Sequence, residues 1–181
     1  MSKPVKMACP HLLQEGRRAR CKARPMFMIK HNQITAFKDE FEFLSNFYLC
    51  EIEFNGIFFS SVEHAFQAQK SSDRLDQHQI AALSSPGQAK RAGKKLRLRT
   101  DWEEVKLGLM LDILRLKFTH PELKEKLIAT RDAELIEGNS WNDRFWGAVG
   151  RKTGDVQTQW QGANHLGRLL MQVRAELNDS L

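Results

Sequence analysis

Residues 48–70, YLCEIEFNGIFFSSVEHAFQAQK, predict a β-hairpin that runs directly into a helix. Asn55-Gly56 separates two apolar runs, and Asn-Gly is the strongest short-range signal for a two-residue hairpin turn. From about Ser61 to Lys70 the turn signals disappear and helix formers such as alanine and glutamine take over. The fold is therefore expected to change from sheet to helix close to residue 60.

One stripe of this predicted helix carries three polar groups. Glu63, Gln67 and Lys70 are spaced four and then three residues apart, so they line up along about two turns at the border of the apolar face. A carboxylate, an amide and an amine in this arrangement are typical of a pocket wall. The structural alternative makes Glu63 part of a capping box with Ser60, and Lys70 a solvated cation at the helix end.

The rest of the sequence predicts a mainly helical domain. Short apolar runs at 26–29, 34–37 and 134–137 are typical of brief strands. We expect the fold class to be α+β, a single mainly helical domain with a small N-terminal antiparallel sheet. Further helices are expected at about 75–83, 86–93 and 100–118, from Pro121 onward, and after a cap at Asn164.

The longest predicted helix has both a start signal and a buried stripe. Thr100 and Glu103 have the spacing of a capping box. Apolar residues then recur every three or four positions, which predicts one face against the core. That face consists of Trp102, Val105, Leu109, Ile113 and Leu116.

Residues 138–163 are rich in glycine and tryptophan and predict a long loop. Loops of this length inside compact domains are usually functional or disordered, and Trp141, Trp146 and Trp160 argue against disorder. Such a loop is suited to wrapping a planar ligand. The alternative is a turn at Asn142-Asp143, with Trp146 filling the core.

The positive charge is concentrated near the N-terminus. Residues 1–31 hold eight Lys and Arg against one acid, in a chain whose net charge is +6. We therefore divide the chain into a basic, flexible arm at 1–25 and a domain at 26–181. A basic arm is consistent with a nucleic-acid partner, although a solvated tail that aids solubility explains the same composition.

Cysteine content and hydropathy bear on the compartment. Three cysteines in a chain of 181 residues argue against a disulfide framework and favour a reducing compartment. No secretory signal and no membrane span is expected, so we predict a cytoplasmic protein without membrane partners. Zinc held by Cys9, His11, Cys21 and His31 is disfavoured, because their spacing matches no common zinc module.

The residues by themselves indicate no more than a ligand-binding cleft built from Glu63, Lys70 and the tryptophan-rich stretch. A series of motifs over residues 34–177 adds a resemblance to the NADAR (NAD and ADP-ribose) family, which includes YbiA-like N-glycosidases. No single motif is decisive, but the order and spacing of the series are specific. The matching segments are 43–48 (FLSNFY), Gly56, 61–70 (SVEHAFQAQK), Ala89-Lys90, Gly93, Asp101-Trp102, Lys106, Met110, Lys117-Phe118, Leu135, Glu137, Asp143, Trp146-Gly147, 162–167 (GANHLG), Leu170-Met171 and Arg174.

This resemblance implies hydrolysis of the bond between a ribose C1 and a nitrogen. The expected substrate is a small nucleotide-like molecule, either ADP-ribosylated guanine or an aminopyrimidine ribose phosphate of the riboflavin pathway. The resemblance places catalysis on Lys70 and Glu63, and neither a metal nor another cofactor is needed. The expected substrate-binding residues are Asn46, Phe47, Trp102, Glu137, Asp143, Trp146, Gly147 and Asn164.

The chemistry of such a reaction suits these residue types. Positive charge develops at C1, which a carboxylate stabilises, and the departing nitrogen needs a proton. A desolvated lysine offers a second route through a Schiff base at C1. A module that binds ADP-ribose or a nucleotide without cleaving it, as a sensor or adaptor, is the alternative function.

Overall fold

A computed structural model describes residues 33–153 and 157–179. The predicted arm at 1–25, the predicted strand at 26–29 and the disfavoured zinc ligands Cys9, His11, Cys21 and His31 lie outside the described residues. Within the described ranges, no helix has the length and apolar character that a lipid bilayer would require.

The described chain is a single α+β unit dominated by helices, which confirms the predicted fold class. A 3-10 helix at Asp39–Leu44 precedes the hairpin. The strands are β1 (Gln33–Ile34), β2 (Ile52–Phe54), β3 (Ile57–Phe59), β4 (Glu134–Leu135), β5 (Gly138–Asn139), β6 (Ala148–Thr153) and β7 (Gln157–Gln161). The helices are α1 (Val62–Ala68), α2 (Arg74–Ala81), α3 (Pro86–Gly93), α4 (Trp102–Lys117), α5 (Pro121–Ile128) and α6 (His165–Asp179).

The hairpin forms where the sequence predicts it. β2 and β3 pair antiparallel with Phe54 opposite Ile57. Asn55 and Gly56 have φ values of 52° and 73°, the left-handed pair that a two-residue turn of matching twist requires. The inward side chains of both strands are buried, so the hairpin forms one wall of the core on which the helices pack.

Helix α1 lies at the centre of the molecule. Its seven residues are all buried, and it packs against α2, α3 and α4. The helix is capped by Ser61, whose hydroxyl accepts from the His64 backbone N–H, and not by Ser60. The capping box of Ser60 with Glu63 is therefore wrong, which leaves the Glu63 carboxylate available for other contacts.

The start and the buried face of α4 differ from the sequence prediction. The capping box of Thr100 with Glu103 is wrong: α4 follows Asp101, which is bound by Arg99, and Glu103 pairs with Lys106. The most buried line runs through Trp102, Met110, Ile113, Leu114 and Lys117. Val105, Leu109 and Leu116 are only half-buried, because α4 is covered from several sides by α1, α6 and β2.

The predicted long loop at 138–163 is wrong as a secondary-structure assignment. This segment forms a three-stranded sheet in the order β5-β6-β7, with β5 parallel and β7 antiparallel to β6. The sequence gives little sign of it, because 157–161 (QTQWQ) lacks alternating apolar residues and backbone pairing supplies the order. β1 and β4 form a separate parallel pair, with Ile34 opposite Leu135.

Candidate active site

A cavity of about 250 Å³ lies between α1, the end of α3, the start of α4 and the turn before β6. It combines carboxylates, several lysines and a wall of aromatic rings. The lining residues are Asn46, Glu63, Phe66, Gln67, Lys70, Lys90, Lys94, Trp102, Lys106, Met110, Asp143, Phe145 and Trp146.

The polar stripe predicted on α1 faces this cavity. Gln67 donates from Nε2 to Glu63 Oε1 at 2.9 Å, so one carboxylate oxygen is fixed by the next turn of the helix. Lys70 follows the end of α1 and is half-buried, which excludes the alternative of a fully solvated cation. The predicted Glu63 and Lys70 therefore do lie in one cavity.

Burial shifts the two groups in opposite directions. Desolvation raises the pKa of the Glu63 carboxyl, against the effect of Lys90 and of the hydrogen bond from Gln67. Desolvation also lowers the pKa of the Lys70 amine, against the attraction of Glu63, and the charges of Lys90 and Lys94 lower it further. The protonated form of Glu63 and the neutral form of Lys70 are therefore both more populated in this cavity than they would be in water.

Glu137 adds a third carboxyl next to the cavity. Burial, followed by repulsion from Asp143, raises the pKa of Glu137 to about 7. Its Oε2 is buried and has no hydrogen-bond partner among the described residues, and the same holds for Oδ1 of Asn46 and Oε1 of Gln67. The oxygens of Asn46 and Gln67, which line the cavity, accept hydrogen bonds and would be satisfied by a ligand rich in hydroxyl donors, such as a sugar.

Aromatic rings also line the cavity. Phe66 lies 5.1 Å, between ring centroids, from both Trp102 and Trp146. Lys70 Nζ is 5.8 Å from the centroid of the Trp102 ring. Trp102 is buried and Trp146 half-buried, so both belong to the core while they line the cavity. The exposed Trp141 lies elsewhere.

Asp143 both builds a turn and lines the cavity. Its Oδ1 accepts from the backbone N–H groups of Phe145 and Trp146, at 3.0 and 2.9 Å. Asn139 binds the Asp143 backbone through both atoms of its amide. The turn predicted at Asn142-Asp143 is therefore present, and it is what brings Trp146 to the cavity.

Four predicted substrate-binding residues are not among those that line the cavity: Phe47, Glu137, Gly147 and Asn164. Phe47 is exposed, with Lys90 Nζ 5.6 Å from its ring centroid. A Cβ on Gly147 would stand 2.3 Å from the Glu137 carbonyl oxygen, so this glycine permits close backbone packing. Asn164 accepts from the Glu137 N–H at 3.0 Å and donates to the Leu135 carbonyl at 2.8 Å, which fixes the segment that carries Glu137. Direct contact of these four with a substrate stays a prediction.

A buried lysine supports the cavity from behind. Lys117 is fully buried at the end of α4 and donates to the Ser45 carbonyl at 2.8 Å. The next residue, Asn46, accepts from the Glu63 backbone N–H at 3.0 Å. Burial lowers the pKa of Lys117 to about 8. Lys117 thus holds the peptide that bonds to the start of α1.

Comparison with known proteins identifies the family to which this arrangement belongs. The model of the NADAR domain matches residues 28–178. This chain belongs to the NADAR family.

Named relatives agree with membership of the NADAR family, which confirms the resemblance predicted from the sequence. The N-glycosidase YbiA of Escherichia coli (strain K12) is 39% identical over 142 residues, which cover 77% of this chain and 83% of YbiA. A riboflavin biosynthesis protein of Vibrio vulnificus is 38% identical over 140 residues, 76% of this chain and 36% of that protein. The NMR structure of E. coli YbiA superposes with a TM-score of 0.70 at 35% identity, covering 87% of this chain and 92% of that one.

Sequence reasoning missed several residues of this NADAR cavity, above all its lysines. Lys90, Lys94 and Lys106 line the same cavity as Lys70. The charge of Lys90 lowers the pKa of both Glu63 and Glu137, against the effect of burial. Two signals were available in the sequence: Lys90 and Lys94 are four residues apart, and Lys90 and Lys106 are among the residues that match the family. Within residues 33–153 and 157–179, no group of three or more His, Cys, Asp or Glu is arranged to hold a metal ion.

Proposed function

We propose that this NADAR protein is an N-glycosidase that hydrolyses the bond between ribose C1 and a nitrogen of a nucleotide-like substrate. The observation that carries the proposal is the placement of Glu63 and Lys70 in one cavity, with the carboxyl pKa raised and the amine pKa lowered. The names of the relatives, N-glycosidases and riboflavin biosynthesis proteins, support the same class of reaction.

The first half of the reaction transfers the sugar to Lys70. Protonated Glu63 gives its proton to the departing nitrogen as the C1–N bond breaks. The neutral Lys70 amine adds to C1, and the ring C1–O bond then opens with transfer of one amine proton to the ring oxygen. The result is a protonated imine between C1 and Nζ.

The second half regenerates the enzyme. A water molecule adds to C1 while the Glu63 carboxylate takes one of its protons. The C1 hydroxyl then gives its proton to Nζ as the C1–Nζ bond breaks, which releases a sugar aldehyde that closes to the ring and restores the neutral Lys70 amine. Each catalytic turn therefore consumes one water and returns both residues to their starting protonation states.

Other groups of the cavity are suited to hold the substrate. The oxygens of Asn46 and Gln67, which have no partner among the described residues, would accept from ribose hydroxyls. The ammonium groups of Lys90, Lys94 and Lys106 suit a phosphate carried by the sugar. Trp102 and Trp146 would form an apolar wall for the sugar or the base. This set fits both an aminopyrimidine ribose phosphate and ADP-ribosylated guanine.

A product assay tests the activity and its substrate. The panel contains an aminopyrimidine ribose phosphate, ADP-ribosylated guanosine and NAD, with release of the free base as the readout. We expect turnover of one of the first two compounds. A protein that binds these compounds with no base release would instead be a binding module, and the proposal would fail.

The route is tested by trapping with borohydride, which reduces an imine to a stable amine. Wild type is expected to gain the mass of the sugar fragment on Lys70, and Lys70→Ala is expected to lose both the adduct and most of the turnover. Lys95→Ala, an exposed lysine outside the cavity, is the matched control and should behave as wild type. Retained turnover of Lys70→Ala, with none in Glu63→Gln, would replace the imine by water activated by the carboxylate.

A further inference from the structure

Two glutamines of α1 and its end are buried, and their surroundings differ. Gln67 lines the cavity and donates from Nε2 to Glu63 Oε1 at 2.9 Å. Gln69 follows the helix as its cap and is not among the lining residues, and its Nε2 has no hydrogen-bond partner among the described residues. Because a buried amide costs free energy unless its polar atoms are paired, the hydrogen bond to Glu63 offsets part of the cost of burying Gln67.

The end of α3 packs directly on the Gln67 side chain. Gly93 is the last residue of α3, and a Cβ at this position would stand 2.0 Å from Gln67 Oε1 and 2.9 Å from Gln67 Cβ. Atoms in a well-packed interior do not approach so closely, so the Gln67 amide fills the space that any larger residue at 93 would need. The Gly93 backbone thereby limits how far this amide can move away from Glu63.

The contact with Glu63 also fixes the orientation of the Gln67 amide. In the opposite orientation, Oε1 of Gln67 would face Oε1 of an ionised Glu63, and two acceptors would meet without a proton between them. Nε2 therefore faces the carboxylate. Its N–H occupies the side of Glu63 Oε1 on which a carboxyl proton would otherwise lie.

The same contact decides which oxygen of Glu63 carries the proton. When the carboxyl is protonated, a hydrogen on Oε1 would collide with the N–H of Gln67, whereas a hydrogen on Oε2 would not. Among the described residues, the hydrogen bond to this carboxyl is made at Oε1, so Oε2 is left for a ligand in the cavity. The proton is thereby directed to one defined atom.

We propose that Gln67, backed by Gly93, is a positioning residue that keeps the Glu63 proton on Oε2, the oxygen from which it passes to the departing nitrogen. Nε2 of Gln67 acts through Glu63 and takes no part in breaking the C1–N bond. A positioned general acid contributes roughly 10²–10⁴-fold to a rate, and a proton on the wrong oxygen loses part of that contribution. The effect on the rate rests on the proposed glycosidase activity, whereas the contact itself can be measured in the free protein.

Several influences act on the Glu63 carboxyl together. Burial raises its pKa, and the hydrogen bond from Gln67 is among the influences that lower it. Replacing Gln67 by methionine removes this hydrogen bond and leaves every charge in place. The charged groups that line the cavity or act on Glu63 or Glu137 are Lys70 after α1, Lys90 in α3 and Lys94 after it, Lys106 in α4, Asp143 in the turn before β6, and Glu137 itself.

Carbon-13 NMR of the full-length chain, with glutamate labelled at Cδ, measures the pKa of Glu63 without any substrate. The signal is assigned by its absence in Glu63→Gln. Gln67→Met is the test variant, because methionine has a similar volume and no N–H donor. Gln69→Met is the matched control, since it replaces a buried glutamine whose Nε2 has no partner among the described residues.

A second pair of variants tests the role of α3. Gly93→Ala should displace the Gln67 amide, because the added Cβ overlaps it. Gly87→Ala is the control in the same helix, where a Cβ would make an ordinary contact of 3.5 Å with Arg91 Nη1. This pair decides by the same measurement if Gln67→Met does not fold.

Gln67→Met and Gly93→Ala should both raise the pKa of Glu63, because the carboxylate loses a donor, and both controls should keep the wild-type value. On the best substrate of the panel, the two test variants should lower kcat at its pH optimum at least about tenfold, with a smaller change in KM. One limb of the pH profile of kcat should move to higher pH together with the pKa of Glu63. A merely structural role would lower kcat without this movement.

An unchanged pKa of Glu63 in both test variants would overturn the inference, and so would a wild-type kcat in a variant whose Glu63 pKa has risen. An equal fall in kcat for Gln67→Met and Gln69→Met, with no movement of the pH profile, would make both glutamines structural and overturn it as well. A raised pKa of Glu63 in both test variants of a protein that releases no base from any panel substrate would support the contact and contradict the glycosidase.

Discussion

Gly167→Ala is expected to destabilise the protein although alanine is the better helix former. Gly167 lies near the start of α6, where alanine alone would add up to about 1 kcal/mol of helix stability. A Cβ at this position would stand 2.0 Å from the Leu135 carbonyl oxygen and 2.6 Å from the Asn164 amide nitrogen. The first atom belongs to backbone and cannot move alone, so α6 and β4 must separate.

The magnitude follows from the two opposing effects. Overpacking a well-packed site costs about 1–3 kcal/mol, so subtracting a helix gain of about 1 kcal/mol leaves a net loss of up to about 2 kcal/mol. For a chain of this size that lowers the melting temperature by up to roughly 8 °C. Activity should fall as well, because the displaced Asn164 amide also fixes the backbone of Glu137.

Thermal unfolding by circular dichroism measures this loss, and Gly108→Ala is the matched control. Gly108 lies on the exposed side of α4, and a Cβ there would meet nothing within 4 Å. The control should therefore gain up to about 1 kcal/mol and keep wild-type turnover. A Gly167→Ala protein that is as stabilised and as active as Gly108→Ala would refute the reasoning about close backbone approach.

Three further outcomes are expected. Trp146→Ala should raise KM about 10–100-fold because it removes a wall of the cavity, and circular dichroism should show that the fold is retained. Trp141→Ala, at an exposed site, should leave KM unchanged. An unfolded Trp146→Ala protein would make the residue purely structural. In wild type, the free energy of unfolding should rise between about pH 8 and 10.5, because Lys117 has a folded pKa lowered to about 8 and the unfolded chain therefore binds more protons in this range. Lys117→Met should abolish this rise and should also lower kcat, because the Ser45 peptide loses its hydrogen bond. An unchanged kcat together with an unchanged pH dependence of urea unfolding would contradict both expectations. In wild type, the free energy of unfolding should fall between about pH 4.5 and 7, because Glu137, with its folded pKa raised to about 7, holds a proton that the unfolded chain has released. Glu137→Gln should remove this fall. An identical pH dependence in wild type and variant would exclude a buried neutral carboxyl.

Local signals were sufficient where neighbouring residues decide the conformation. Asn55-Gly56 predicted the hairpin because the left-handed backbone of both turn residues is a property of those residues. The spacing of Glu63, Gln67 and Lys70 predicted one polar stripe because helix geometry fixes which residues share a face. Membership of the NADAR family was also readable from the order of motifs, and the comparisons confirm it.

The strands at 138–161 and the buried line of α4 could not be read in the same way. β6 and β7 carry few alternating apolar residues. They form strands because their backbones hydrogen-bond to each other, and side-chain patterns within each segment do not reveal this pairing. Along α4, Lys117 is the residue that a polarity pattern places in solvent, yet it is fully buried because the Ser45 carbonyl receives its ammonium group. In both cases the partner lies far along the chain.

The sequence by itself determined the fold class, the hairpin, the central helix and the pairing of Glu63 with Lys70 on one stripe, since these depend on residues within a few positions of one another. Only the tertiary structure decided which further groups surround that pair. Lys90 comes from α3, Lys94 directly follows it, Lys106 comes from α4 and Asp143 from the turn before β6. Packing these elements around α1 removes water from the cavity, and that desolvation, which no single segment can produce, shifts the pKa values of Glu63, Lys70 and Glu137.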